Sequence, residues 1–241
     1  MSSSTPGTSS LVRRATAHAR QHGVLSLLRT AFRRYVFNSR AIYVFMCPHD
    51  LATEGVDKPL VANFRASFVA SNDEADELAR DYDDFRLFDK RARPALDEGA
   101  VALCQYSGRS VVNVAWLATD QPAHAAIDST GLPFDVATHR AWTGRVNTAP
   151  AYEGRGLFRY ACARRFEYLL SLGIDESCTC VAEGNARSHV MTASLGCRLV
   201  GKGHLVRLLW RTWWHTGTLA RADEEAIREA VASARANRRT S

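Results

Sequence analysis

The chain has 241 residues, 46% hydrophobic and 23% charged, with a formal net charge of +6. That content fits one core of good size with extensions. No apolar run reaches the roughly 18 residues needed to cross a bilayer. No long apolar segment follows the N-terminal Ser/Thr stretch, so the expected location is cytoplasmic, with a membrane-peripheral one left open.

The charge is lopsided. Residues 1–49 hold seven arginines and no acid, so residues 50–241 carry −1. Residues 1–10 read as a disordered Ser/Thr/Gly/Pro tail. Residues 11–49 read as a basic, amphipathic helical extension in which Val24, Leu28, Ala31, Phe32 and Tyr35 share one face. Residues 11–40 suit contact with an anionic membrane surface or an acidic partner.

The body is placed at residues 50–215, with a C-terminal helix in 216–241. "AIYVF" at 41–45 is strand-like, as is "LVANFRASFVAS" at 60–71. Residues 72–99 predict two short helices, capped by Asn72 or Asp73. Residues 100–119 predict a hairpin around Ser107-Gly108. Residues 120–135 read as a loop, and "THRAWTGRVNT" as a strand with a bulge marked by Gly144.

A helix is predicted from Arg155 to about Leu172 and stopped by Gly173. A strand, a short helix capped by Asn185, a β pair around Gly201–Gly203 and a terminal helix complete the chain. The fold class is mixed α/β, with a mostly antiparallel sheet and one strand–helix–strand unit.

The six cysteines mostly sit in apolar segments and read as small buried hydrophobes, Cys178 and Cys180 sharing one strand face. Cys47-Pro48-His49-Asp50 offers metal-ligand types, but nothing elsewhere completes a set, so no metal is assigned.

The chemistry concentrates in "NTAPAYEGRGLFRYACARR", residues 147–165. Two glycines one residue apart open a helix, and a helix start offers free N–H groups and a partial positive charge to an anion. A P-loop needs a Lys and Ser/Thr after the last glycine, and a dinucleotide fingerprint needs three glycines. Neither is present.

"PAYEGRGLF" resembles the pyrophosphate loop of the GNAT acetyltransferase superfamily through Pro150, Tyr152, Gly154, Arg155 and Gly156. Glu153 stands where Arg or Gln is usual, and Phe158 where Gly or Ala is usual. "NARSHVMTASLGC" resembles the superfamily's later motif through Asn185, Ser188, Leu195 and Gly196. The resemblance covers roughly residues 60–210.

It implies acetyl-CoA as co-substrate. The implied cofactor contacts are Thr148, Gly154, Arg155, Gly156, Leu157, Phe158 and Asn185. It also implies direct acetyl transfer to an amine, on a small molecule or exposed on a larger acceptor. The usual Tyr acid of the last helix is Thr192 here, with Ser188 as a substitute. Glu183 is the first candidate base, with His139 behind it and His189 read as packing or surface.

The acidic run Asp73–Asp89 reads as a solvated face before it reads as an amine-attracting one. Trp210, Trp213 and Trp214 read as core or contact surface. A non-catalytic binding module is the competing reading. No nucleic-acid-reading module is recognisable, and the oligomeric state is left open, a homodimer included.

Overall fold

A computed structural model describes residues 37–49, 56–128, 130–136, 141–209 and 211–239. The extension before Phe37, together with Asp50, His139 and Trp210, lies outside the described residues.

The strands are β1 Phe37–Pro48, β2 Phe64–Val69, β3 Val101–Ser107, β4 Ser110–Ala118, β5 Trp142–Thr148, β6 Glu176–Ala182, β7 Arg198–Leu208 and β8 Arg211–Gly217. They form a single sheet in the order β2-β3-β4-β5-β6-β1-β7-β8. Every pairing is antiparallel except β5 with β6. The mixed, mostly antiparallel sheet expected from the sequence is present.

The boundary drawn after residue 49 needs correcting, because it cuts β1 away from the sheet it belongs to. β1 is an inner strand, paired with β6 from Ile42↔Ala182 to Pro48↔Glu176 and with β7 from Phe37↔Leu208 to Met46↔Arg198. Its alternation explains the placement. Tyr43, Phe45 and Cys47 are buried on one face, and Ile42 and Met46 on the other.

One face is covered by α1 Asn72–Asp81, α2 Phe85–Phe88, α3 Ala92–Asp97 and α4 Gln121–Ile127. There Ala75, Phe85, Ala95, Leu96 and Ile127 pack on Tyr106, Val114 and Trp116. Burying one such large side chain stabilises by roughly 1.5–3 kcal/mol. The region read as two helices holds three, because Asp84 caps α2 separately, accepting from the Arg86 N–H at 3.0 Å. The cap of α1 is Ser71, not Asn72 or Asp73. Its Oγ accepts from the Glu74 N–H at 3.1 Å, and the Glu74 carboxylate accepts from the Ala70 N–H at 2.7 Å.

α4 falls in a segment read as loop. Asp120 caps it by accepting from the Ala123 N–H at 2.9 Å, and Pro122 sits in its first turn. Both are ordinary helix-start signals.

The other face carries α5 Leu157–Ser171, α6 Ala186–Ser194 and α7 Arg221–Arg239. Cys162, Phe166, Met191 and Ile227 pack there on Tyr43, Phe45 and Val181. α5 ends at Gly173, φ 75°, as expected.

The turn between β7 and β8 is at Leu209, φ 55°, not at the two glycines. Gly201 and Gly203 lie inside β7. A Cβ on Gly203 would meet Trp214 Cζ2 at 2.2 Å, so that glycine makes room for an indole.

Cys104, Cys162 and Cys178 are buried thiols, as read. Cys178 and Cys180 share the α1–α4 face. Cys47 and Cys197 are a correction. They form a disulfide across 150 residues of sequence, tying β1 to the residue ahead of β7. Spacing could not show this, since the contact exists only once β1 lies beside β7.

Candidate cofactor cleft

β5 and β6 run parallel, yet their ladder is a single pair, Trp142↔Cys178, with the Cys178 N–H donating to Ala141 O at 2.9 Å. Beyond it the two strands part. A bulge in β5 accompanies the parting. Val114 pairs with Asn147 and Trp116 with Gly144, so Arg145 and Val146 together face Ala115. The bulge read at Gly144 is therefore one residue further on. Arg145 takes it up at φ 43°.

A non-glycine residue in that region is strained and persists only where its surroundings hold it. Here the Arg145 guanidinium pairs with Asp89 and lies over Trp116, 5.7 Å from the ring centroid. Asp89 also accepts from Trp116 Nε1 at 2.9 Å and from the Arg91 N–H at 3.2 Å. Asp76 and Asp84 similarly hold the buried Arg86. Three acids of the Asp73–Asp89 run thus brace arginines and do not form a free solvated face.

At the mouth of the fork, β5 ends at Thr148 and a short 3-10 turn, Pro150–Tyr152, leads to the glycines. Gly154 has φ 77° and Gly156 φ 86°. Gly156 is the N-cap of α5, and no side chain caps that helix. Its first N–H groups therefore meet no side-chain acceptor, which leaves an anion seat.

Three features keep the seat clear. Phe158 turns inward and packs on the cluster of Cys162 and Phe166. Arg155 folds over the Tyr152 ring, 5.1 Å from its centroid, and its carbonyl accepts the Leu60 N–H at 3.0 Å. The Glu153 carboxylate, an unwelcome charge here, is paired with Arg187 in the first turn of α6.

Beneath the seat runs a buried polar chain. Gln105 Nε2 donates to Asn113 Oδ1 at 2.6 Å and to Leu157 O at 3.2 Å, and Asn113 Nδ2 donates to Thr148 Oγ1 at 2.7 Å. Gln105 and Asn113 are wholly buried. Leu157, itself buried, contributes its carbonyl to this chain. Three strands, β3, β4 and β5, are so fixed to the first turn of α5. These two amides and Arg187 were missed in the sequence. The amides had a signal, since each interrupts an apolar strand.

On the β6 side, Asn185 caps α6, its Oδ1 accepting from the Ser188 N–H at 3.2 Å. Ser188 is half-buried in that first turn. Glu183 is exposed, its N–H donating to Ala41 O at 3.0 Å. That bond places it beside β1. The fork therefore brings Thr148, the glycine turn and Asn185 to one mouth and leaves Glu183 at its β1 flank.

His189 is a packing residue. Nε2 donates to Ala182 O at 3.1 Å, the ring edges against Tyr43 and Phe45, and burial pushes its pKa down. Thr192 is buried, with its hydroxyl donating to His189 O at 3.0 Å. Lys202 and Tyr43 both bond Asp223 at the start of α7.

Among the described residues no group of metal-ligand side chains gathers at the Cys47–His49 segment. Cys47 is bridged. His49 Nδ1 donates to Ile174 O at 2.9 Å, and Nε2 accepts from Ser177 Oγ at 2.9 Å.

No protein-family model matches the chain, and no curated protein does. Solved structures do. A conserved protein of unknown function from Staphylococcus epidermidis is similar at 11% identity and TM-score 0.49, over 76% of this chain and 67% of that one. A tandem GNAT protein of the clavulanic acid biosynthesis pathway is similar at 15% and 0.47, over 80% and 59%. A GCN5-related N-acetyltransferase-like protein from Streptococcus suis is similar at 17% and 0.45, over 78% and 68%. The chain thus spans about two thirds of the first and third and 59% of the tandem protein. Solved structures similar to this chain therefore include GCN5-related N-acetyltransferases, at identities that say nothing of substrate or reaction.

Proposed function

We propose that the chain is an acyl-CoA-dependent N-acyltransferase, moving an acetyl group from acetyl-CoA to an amine by direct attack. The observation that carries this reading is the fork of β5 and β6 opening onto an uncapped, glycine-turned helix start. The residues fit the cofactor: a Cβ on Gly154 would meet nothing within 4 Å, one on Gly156 only the Pro59 Cα at 3.7 Å, and the Glu153 carboxylate beside the seat is paired.

The N–H groups from Gly154 to Phe158 would hold the pyrophosphate. The Thr148 backbone would hold the pantetheine arm, and the Asn185 amide would steady its thiol end. The bound cofactor supplies an activated thioester carbonyl. Backbone N–H groups of β5 on its open side would face the oxygen that gains charge during attack. Glu183 at the flank and Ser188 in the first turn of α6 are the groups proposed to pass protons, directly or through water.

The buried, bonded hydroxyl of Thr192 favours a second reading, a binding module that keeps the fold without turnover. A location in the cytoplasm, a homodimer and the acceptor's identity belong to the same proposal. No described helix is long and apolar enough to cross a membrane.

Thermal unfolding with acetyl-CoA, NAD and ATP at equal concentration tests the seat, since a ligand bound only by the native state raises the midpoint. A rise with acetyl-CoA alone, lost in Gly156→Asp, supports the reading, and an amine screen then separates enzyme from module. No rise with acetyl-CoA in a folded sample overturns both the cofactor and the enzyme.

A further inference from the structure

β1 outruns β6. Their ladder begins at Ile42 and Ala41 still bonds Glu183, so Phe37–Arg40 extends past β6 with β7 as its neighbour among the described residues, about 13 Å of strand. The β7–β8 hairpin ends at the same place, with Phe37 opposite Leu208 and Leu208 opposite Arg211. Directly opposed residues share a face, so Phe37, Leu208 and Arg211 point one way. Trp213, opposite Val206, lies one step inward on that face.

The tip is apolar where it should not be. Phe37, Leu208, Leu209 and Trp213 are 40%, 42%, 46% and 40% exposed. Arg211 shares that face, while Arg40 and Arg207 stand on the other face of the same tip, all exposed and with no ion pair among the described residues. Residues 37–48 and 198–217 together hold five cations and no acid. Glu183 borders them beside Ala41, and two of the five, Arg198 and Lys202, are paired with Glu176 and Asp223. The segment entering the sheet at Phe37 adds six more arginines in residues 1–36, again without an acid.

We infer that this tip docks on an anionic lipid bilayer, its apolar side chains entering the headgroup boundary and its arginines meeting lipid phosphates. A strand tip with apolar groups on one face and arginines on both is what such an interface takes up. An acidic protein would answer the charge but leave four apolar side chains on a projecting strand end without a pocket. β1 is antiparallel to β6, so the tip stands at the end of the sheet where β5 and β6 part. The mouth of the fork would then lie next to the bilayer.

Co-sedimentation of the full chain with vesicles tests this. Phosphatidylcholine alone is compared with vesicles carrying about one third phosphatidylglycerol, at low salt and at about 0.5 M. Soluble poly-glutamate serves as the protein-like polyanion. The expected result is partition to the anionic vesicles only, weaker at high salt. Arg207→Ala with Arg211→Ala should lower it roughly 30-fold, and Leu208→Ser with Leu209→Ser and Trp213→Ser roughly tenfold or more. Melting midpoints should stay unchanged in both.

Brominated lipids should quench tryptophan emission, and less in Trp213→Phe. No partition to anionic vesicles overturns the inference. So does partition that both tip variants retain, which would leave residues 1–36 as the carrier. Tip-dependent binding to poly-glutamate without vesicle binding points to an acidic protein and overturns it as well. None of these readouts depends on acetyl-CoA.

Discussion

The Glu153 carboxylate and the Arg187 guanidinium meet across the mouth of the fork, joining the glycine loop after β5 to the first turn after β6. Both side chains are largely exposed, so the pair itself adds little to stability, at most about 1 kcal/mol. Its importance is positional, because it keeps one negative charge off the anion seat and one positive charge beside it. Arg187→Ala is expected to weaken acetyl-CoA binding about five- to tenfold, and Glu153→Gln to strengthen it by a smaller factor. Calorimetric titration measures both. Equal affinity in wild type and Arg187→Ala would show that the arginine never reaches the cofactor.

Gly156 sets the turn into α5 at φ 86°, and a Cβ there would find Pro59 Cα at an ordinary 3.7 Å. Space is therefore available, and the backbone angle is the obstacle. Gly156→Ala should cost about 1–2 kcal/mol in urea unfolding and impair acetyl-CoA binding beyond that loss. A variant as stable as wild type would mean that the turn is not left-handed.

The Cys47–Cys197 bridge closes a long loop between the first strand and the last hairpin. Cys197→Ser is expected to lose about 2–4 kcal/mol, and reductant should lower the wild-type melting midpoint to that of the variant. Disulfides persist in oxidising compartments and are rare in the cytosol, so a thiol count on protein from its native host also bears on the expected location. Indifference of the wild type to reductant would show two free thiols.

His124 is buried against Phe134 and Trp142, and neither ring nitrogen has a hydrogen-bond partner among the described residues. Burial pushes its pKa below the ordinary value, as it does for His189. The unfolded chain takes up these protons near pH 6.5, while the native state does so only at lower pH. Stability from both histidines is therefore complete above about pH 6.5 and falls as pH drops toward the native values. The melting midpoint should decline between about pH 7.5 and pH 5.5, and less steeply in His124→Leu. An unchanged slope in that variant would mean that His124 is protonated in the fold.

Asp89, 5% exposed, holds Arg145 at the bulge. Asp89→Ala leaves a buried guanidinium without its partner, an expected loss of about 3–5 kcal/mol in urea unfolding. Since the bulge lies where β5 and β6 part, acetyl-CoA affinity should fall as well.

What was legible in the sequence was whatever local chemistry dictates. The glycine turn, the helix behind it, the Asn185 cap and the Ser107-Gly108 hairpin lie as read, because each depends on neighbours a few residues away. The bulge was read within one residue of its place. Long-range partners were not legible. Asp89 reads as one acid in an acidic run, and only the sheet brings it to Arg145. Glu153 and Arg187 are 34 residues apart, and nothing local connects them. Gly201 and Gly203 imitate a turn because sequence does not show the indole that Gly203 accommodates. α4 was missed through its brevity, although Asp120 and Pro122 announced it.

β1 contributes no side chain to the mouth of the fork, yet the sheet is continuous only through it. Delete residues 37–48 from the strand order and what remains is a five-stranded sheet ending at β6 and a detached β7–β8 ribbon. β1 precedes both its partners in the chain, so Ile42 must wait for Ala182 and Gly203 before it can bond to either side. A cut that removed residues 37–48 would here unmake the wall on which the cleft leans.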